Sequence, residues 1–150
     1  YEKILKIEQQ IGIDTEKSLE LFNERVGLLK QSSYNLIQHV IDLEGKIVAL
    51  GASTKGNMIC QFLGINSDHV ECVLDNNQKK IGKIMTGSNI PVVDEKNWLN
   101  RLPNYLLVLP YYYVEYFKKM VRENTKIGKV TFLIVLLPIP KLIKVIGNQS

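Results

Sequence analysis

The chain has 150 residues, 45% of them apolar, which suits one compact domain with a buried core. Its 19 basic and 15 acidic side chains leave a net charge of +4; that balance excludes the high-charge, low-hydrophobicity signature of disorder. The lysines are scattered singly or in pairs, without the arginine-rich stripe or aromatic pattern of a nucleic-acid binder. Residues 1–45 carry 5 basic and 8 acidic side chains and residues 46–150 carry 14 and 7, so the second part favours an anion. The longest apolar run, Val130 to Leu137, ends at Pro138, well short of the roughly 20 residues of a membrane span. Two cysteines, Cys60 and Cys72, specify neither a disulfide framework nor a metal site; buried thiols in the cytoplasm are expected. A start at Tyr1 without a leader is expected for a piece of a longer protein.

In chain order, Ile4, Leu5, Ile7 and Ile11 predict a short helix that Gly12 stops. From Asp14 to Glu44, Leu19, Phe22, Val26, Leu29, Leu36, Val40 and Leu43 recur at intervals of three, four or seven, the stripe of one long amphipathic helix over about 15–44. Asp14 or Thr15 can accept the free amides of its first turn, and Gly45 stands where a terminating residue is wanted.

After Gly45 short apolar runs alternate with helical segments, which predicts an α/β fold around a parallel sheet. Strands are expected near Lys46–Leu50, Val70–Leu74, Ile90–Val93, Tyr105–Leu109 and Val130–Leu136. Helices fall between the first two strands, near Glu95–Arg101 and near Val114–Asn124. Right-handed crossovers then give a Rossmann-like, doubly wound, mainly parallel five-stranded sheet of order 3-2-1-4-5, with its ligand crevice outside the carboxyl ends of the strands. The chain thus divides into an N-terminal helical segment, 1–45, and a nucleotide-binding unit, 46–150. The polar segment Asp75–Asn89 is expected to be a loop over the crevice edge.

The strongest local signal is Gly51-Ala52-Ser53-Thr54-Lys55-Gly56-Asn57, directly after a strand and before a helix. Such a turn aims backbone amides and a positive helix end at one spot and suits phosphate oxygens. It is not a Walker A loop, which would need Lys at Asn57 and Ser or Thr at Met58. It departs from GxGxxG as well, since Ser53 stands at the second glycine position. Asp75, at the end of the second strand, is placed like an acid that accepts ribose hydroxyls, although Asp75-Asn76-Asn77 is also a plain turn signature. Tyr111, Tyr112 and Tyr113 follow Pro110 on the crevice edge, where a ring could stack on a base or sugar. Lys79, Lys80 and Lys83 rank below Lys55 as anion partners. His39 and His69 have no nucleophile signature nearby, and the seven carboxylates of the second part are mostly dispersed. The pattern is that of a binder rather than a catalyst.

These residues resemble a known family. Glu44-Gly45-Lys46, Ile47 to Asn57, Phe62-Leu63-Gly64-Ile65, Val73 to Asn77, Lys80 to Lys83, Gly87 to Val92, Leu107 to Pro110 and Leu137-Pro138-Ile139-Pro140 look like the C-terminal domain of S-adenosylmethionine-dependent sugar C-methyltransferases. The resemblance implies a parent with an N-terminal zinc-binding module and a central methyltransferase domain that holds S-adenosylmethionine. This Rossmann-like domain would help hold a nucleotide-linked deoxysugar. By that analogy the base and the methyl donor lie outside these residues, so no catalytic residue and no metal ligand carries over. The substrate-binding residues would be Gly51 to Asn57 at the diphosphate, Asp75 and Asn76 near the ribose or base, and Tyr111 or Tyr112 lining the pocket. The family often has Trp and Asn where this chain has Tyr111 and Tyr112. Two other readings stand beside this one: an NAD(P)- or nucleotide-binding Rossmann domain of an oxidoreductase or sensor, and a structural assembly domain.

Overall fold

The computed structural model describes residues 2–13 and 15–149. Helices α1 (Glu2–Ile11) and α2 (Glu16–Glu44) precede β1 (Ile47–Leu50), α3 (Thr54–Leu63), β2 (Val70–Asp75), β3 (Val92–Asp94), β4 (Tyr105–Val108), α4 (Val114–Glu123), β5 (Val130–Val135) and β6 (Lys141–Ile146). Of the two candidate caps of α2, Thr15 accepts the Ser18 amide at 3.2 Å, while Asp14 lies outside the described residues. Gly45 ends the helix, its amide bonded to the Ile41 carbonyl at 2.8 Å.

The face that α2 buries differs from the expected stripe. Ser33, Ile37 and Val40 are buried; Val26, Leu29 and Leu36 are half-buried, and Leu19, Phe22 and Leu43 are exposed. A helix of 29 residues runs for about 43 Å. Strands of three to six residues give it a sheet to cover along only part of that length.

The sheet has six strands in the order β3-β2-β1-β4-β5-β6, not five. The first five are parallel and in the expected sequence. The sixth pairs antiparallel with β5, from Val130 opposite Ile146 to Val135 opposite Lys141. The expectation failed because Pro138 and Pro140 mark the end of a strand, and here they form the turn of a hairpin whose second arm buries one side chain, Val145. The segment expected to be a helix at Glu95–Arg101 is two 3-10 turns, Glu95–Asn97 and Leu99–Arg101. Asp94 accepts the Lys96 amide at 3.0 Å, and Pro103 disfavours helical geometry just before it. The third strand starts two residues late because Ile90 spends its carbonyl on the Met85 amide at 2.8 Å. The polar loop before it also contributes to the interior, with Met85 and Ser88 buried.

Alternation along the central strands separates two apolar layers. Ile47, Ala49, Val73, Leu107 and Ile134 join Ile37 and Val40 of α2 and Cys60 and Leu63 of α3. Val48, Leu50, Leu74, Leu106, Val108 and Leu133 join Phe117, Met120 and Val121 of α4 on the opposite face. Burial on both faces explains why these strands are continuously apolar, and each fully buried Leu or Ile contributes about 1.5–3 kcal/mol.

Candidate functional site

The chain leaves β1 through α3 toward β2 and leaves the adjacent β4 through α4 toward β5. The two crossovers part above the carboxyl ends of β1 and β4, where doubly wound sheets open a crevice. Here it has a volume of about 550 Å³. Gly51, Ala52 and Ser53 form one wall, Asp75, Asn76, Asn77 and Lys80 the second, and Pro110, Tyr112, Tyr113, Tyr116 and Phe117 the third, and Glu95 also lines the space.

The first wall exists because of one glycine. Gly51 has φ +78°, and a Cβ there would lie 2.6 Å from Cγ of Pro110, so a side chain would be strained and would collide with the loop after β4. Ser53 then caps α3: its hydroxyl accepts the Gly56 amide at 3.0 Å and its carbonyl the Asn57 amide at 2.9 Å. Among the described residues the amides of Ser53, Thr54 and Lys55 meet no acceptor within the chain. They are the open donors of a helix N-terminus, at the positive end of its dipole.

Asp75 is buried and engaged. Its Oδ2 accepts the Ala52 amide at 2.8 Å and the Lys80 ammonium at 3.3 Å, and its Oδ1 accepts the Asn77 amide at 2.8 Å. Lys80 also donates to the Ala52 carbonyl at 2.6 Å, so one carboxylate and one ammonium clamp both polar groups of the Ala52 backbone.

The remaining expected residues divide between crevice and scaffold. Asn76 and Tyr112 line the crevice, and the Lys55 ammonium stands 5.0 Å from the centre of the Tyr112 ring. Thr54 is exposed on the first turn of α3. Gly56 is buried where a Cβ would meet Leu109 Cβ at 2.6 Å, which lets α3 lie close against the sheet. Asn57 turns to the Ser88 hydroxyl, 3.5 Å away. Tyr111 packs against the α4-side apolar layer. His39 is exposed on α2, and His69 contacts Asn66 at 2.8 Å.

Glu95 and Tyr116 were missed by the sequence reading. Burial pushes the Glu95 carboxyl up from its ordinary value, the Asn76 amide beside it pulls the other way, and the negative charges of Asp75 and Asp94 add to the rise. The Tyr116 hydroxyl is likewise raised by burial and by Glu95, with Asn76 opposing. The available signal was position: Glu95 follows β3 much as Asp75 closes β2. A helix assignment for 95–101 hid it.

Residues 1–138, which carry the glycine-cornered turn, the switch-point crevice and the long preceding helix, match the C-methyltransferase C-terminal domain family. The chain belongs to that family. This C-methyltransferase C-terminal domain is similar to C-methyltransferase NovU of Streptomyces niveus, with 34% identity over 71 residues, 47% of this chain. The match spans 17% of that relative's length. The span matched to the C-methyltransferase C-terminal domain family closes before β6, the strand absent from the sequence expectation. No helix among the described residues of the domain is long and apolar enough to cross a membrane.

Proposed function

We propose that this C-methyltransferase C-terminal domain binds the diphosphate of a nucleotide-linked deoxysugar and positions the sugar for methyl transfer elsewhere in a cytoplasmic parent enzyme. The observation that carries this reading is the set of open amides at Ser53, Thr54 and Lys55, of which Ser53 lines a crevice with three tyrosines while the Lys55 ammonium stands over the Tyr112 ring. Phosphate oxygens satisfy such amides without a metal, and the faces of Tyr112 and Tyr113 are suited to a base or sugar ring. Asn76 lines the same space, and Asp75 acts by fixing Ala52 and thereby the course of the turn. Anchoring the nucleotide far from the reacting carbon restricts that carbon's motion, an orientation effect worth several kcal/mol in favourable cases.

S-adenosylmethionine fits this crevice poorly. It carries a sulfonium, which would face the Lys55 ammonium, and in place of a diphosphate it offers the open amides only a single carboxylate. In this reading it supplies the methyl group from a central methyltransferase domain, next to an N-terminal zinc module, both outside this chain. Calorimetric titration with dTDP, UDP, S-adenosylmethionine and NAD tests the assignment. A nucleoside diphosphate is expected to bind and S-adenosylmethionine not to; binding of NAD alone would overturn it.

A further inference from the structure

We infer that Glu95 is the acceptor for the ribose hydroxyls of the bound nucleotide, taking the place that the chain position of Asp75 suggests. The inference rests on the diphosphate reading above and concerns which residue recognises the neutral part of that ligand.

Three observations support it. The first is that the Asp75 carboxylate already accepts from Ala52, Asn77 and Lys80. A carboxylate offers about four acceptor sites, so little capacity is left, and diverting it would release the Ala52 clamp. The second is that Glu95 lines the same crevice, is half-buried, and forms no ion pair among the described residues. The Asn76 amide and the Lys96 charge offset its burial only in part, and a carboxylate has about four acceptor sites, so Glu95 still gains from a ligand donor through a charge-assisted hydrogen bond.

The third observation is spacing and sign. Glu95 directly follows β3 and the open amides follow β1, with β2 between them. Two strand spacings separate those positions, about 10 Å. That span leads from a phosphate bound at the turn to hydroxyls on the sugar beyond it. The two ends are also opposite in charge. The α3 N-terminus and Lys55 form a positive end, and Glu95 with Asp94 forms a negative one that Lys96 offsets only in part, while Asp75 is paired with Lys80. A diphosphate is attracted to the first and repelled from the second, so the ligand enters in one direction with a neutral donor group facing Glu95.

The experiment compares UDP and dTDP with their 2′,3′-dideoxy counterparts, which keep base and diphosphate and lack both ribose hydroxyls of UDP or the 3′ hydroxyl of dTDP, on the native chain, on Glu95→Ala and on Glu95→Gln. On the native chain the hydroxylated nucleotide is expected to bind about tenfold more tightly than its dideoxy counterpart, the weight of one hydrogen bond to a charged group. Glu95→Ala is expected to remove the difference between the hydroxylated ligand and its dideoxy counterpart. Glu95→Gln, which keeps the shape and a neutral acceptor, is expected to fall between. An unchanged ratio in both variants, or equal binding of the two ligands to the native chain, overturns the role of Glu95 while the diphosphate reading stands. If no diphosphate binds the native chain, that reading fails and this one falls with it.

Discussion

The carboxylate of Asp75 holds the backbone of Ala52, 23 residues earlier in the chain, through a buried hydrogen bond of 2.8 Å. Asp75 closes β2 and Ala52 follows Gly51 at the end of β1, so this bond joins the tips of two neighbouring strands across the floor of the crevice. Lys80 completes the arrangement by bonding to both residues. The course of the turn before α3 is therefore set by a residue that is not part of the turn.

Asp75→Ala leaves the Ala52 amide without its acceptor and Lys80 without its counterion. With Asp75 buried and Lys80 partly solvated, the expected loss is about 2–3 kcal/mol of stability, measured by urea unfolding at neutral pH. A loss below 0.5 kcal/mol, roughly the scatter of surface substitutions, would show that the clamp is dispensable.

Lys55 is exposed and its ammonium contacts Tyr112. Lys55→Ala is expected to weaken dTDP or UDP binding about tenfold, the order of one charge-assisted contact, while the urea midpoint stays in place. Because the charge is exposed, the difference between the two proteins should shrink at high salt. A variant that binds as well as the native chain removes Lys55 from the phosphate end.

Thr131 in β5 is fully buried opposite Val145, and its hydroxyl has no hydrogen-bond partner among the described residues. Replacing it with the nearly isosteric valine removes an unpaired polar group from the second apolar layer. Thr131→Val should raise stability by about 1 kcal/mol, seen as a higher urea midpoint with an unchanged slope.

Burial pushes the Cys60 thiol up to about 12 and the Cys72 thiol up to about 11, against an ordinary value of 9.0. At pH 8 the folded Cys72 is thiolate at a fraction of about 10⁻³, so both should resist alkylation until the chain unfolds. The sign of the stability effect follows from the unfolded chain, whose thiols ionise first. The neutral-thiol contribution is intact below about pH 9 and is lost as pH climbs from 9 toward 11 and 12. Urea unfolding at pH 7 and pH 10 should show the decline, and the double variant Cys60→Ala, Cys72→Ala should show less of it.

The sequence by itself determined the parts of this protein that depend on neighbouring residues. The long helix with its N-cap at Asp14 or Thr15 and its end at Gly45, the five parallel strands and their order, and the turn from Gly51 into α3 all follow from local periodicity and turn chemistry. Gly51 is legible because a tight strand-to-helix turn requires it, although its contact with Pro110 is not. Tertiary structure decided what depends on residues meeting across the fold. It tied Asp75 to Ala52 and Lys80 and left Glu95 without an ion pair among the described residues, an assignment that two similar acids at strand ends cannot announce. It turned Tyr111 inward and Tyr112 and Tyr116 toward the crevice, because a 3-10 turn runs into α4 and sends adjacent rings to different faces. It added β6, whose one buried side chain leaves little hydrophobic signal, and it buried one part of α2 while the sheet ran out beneath the rest.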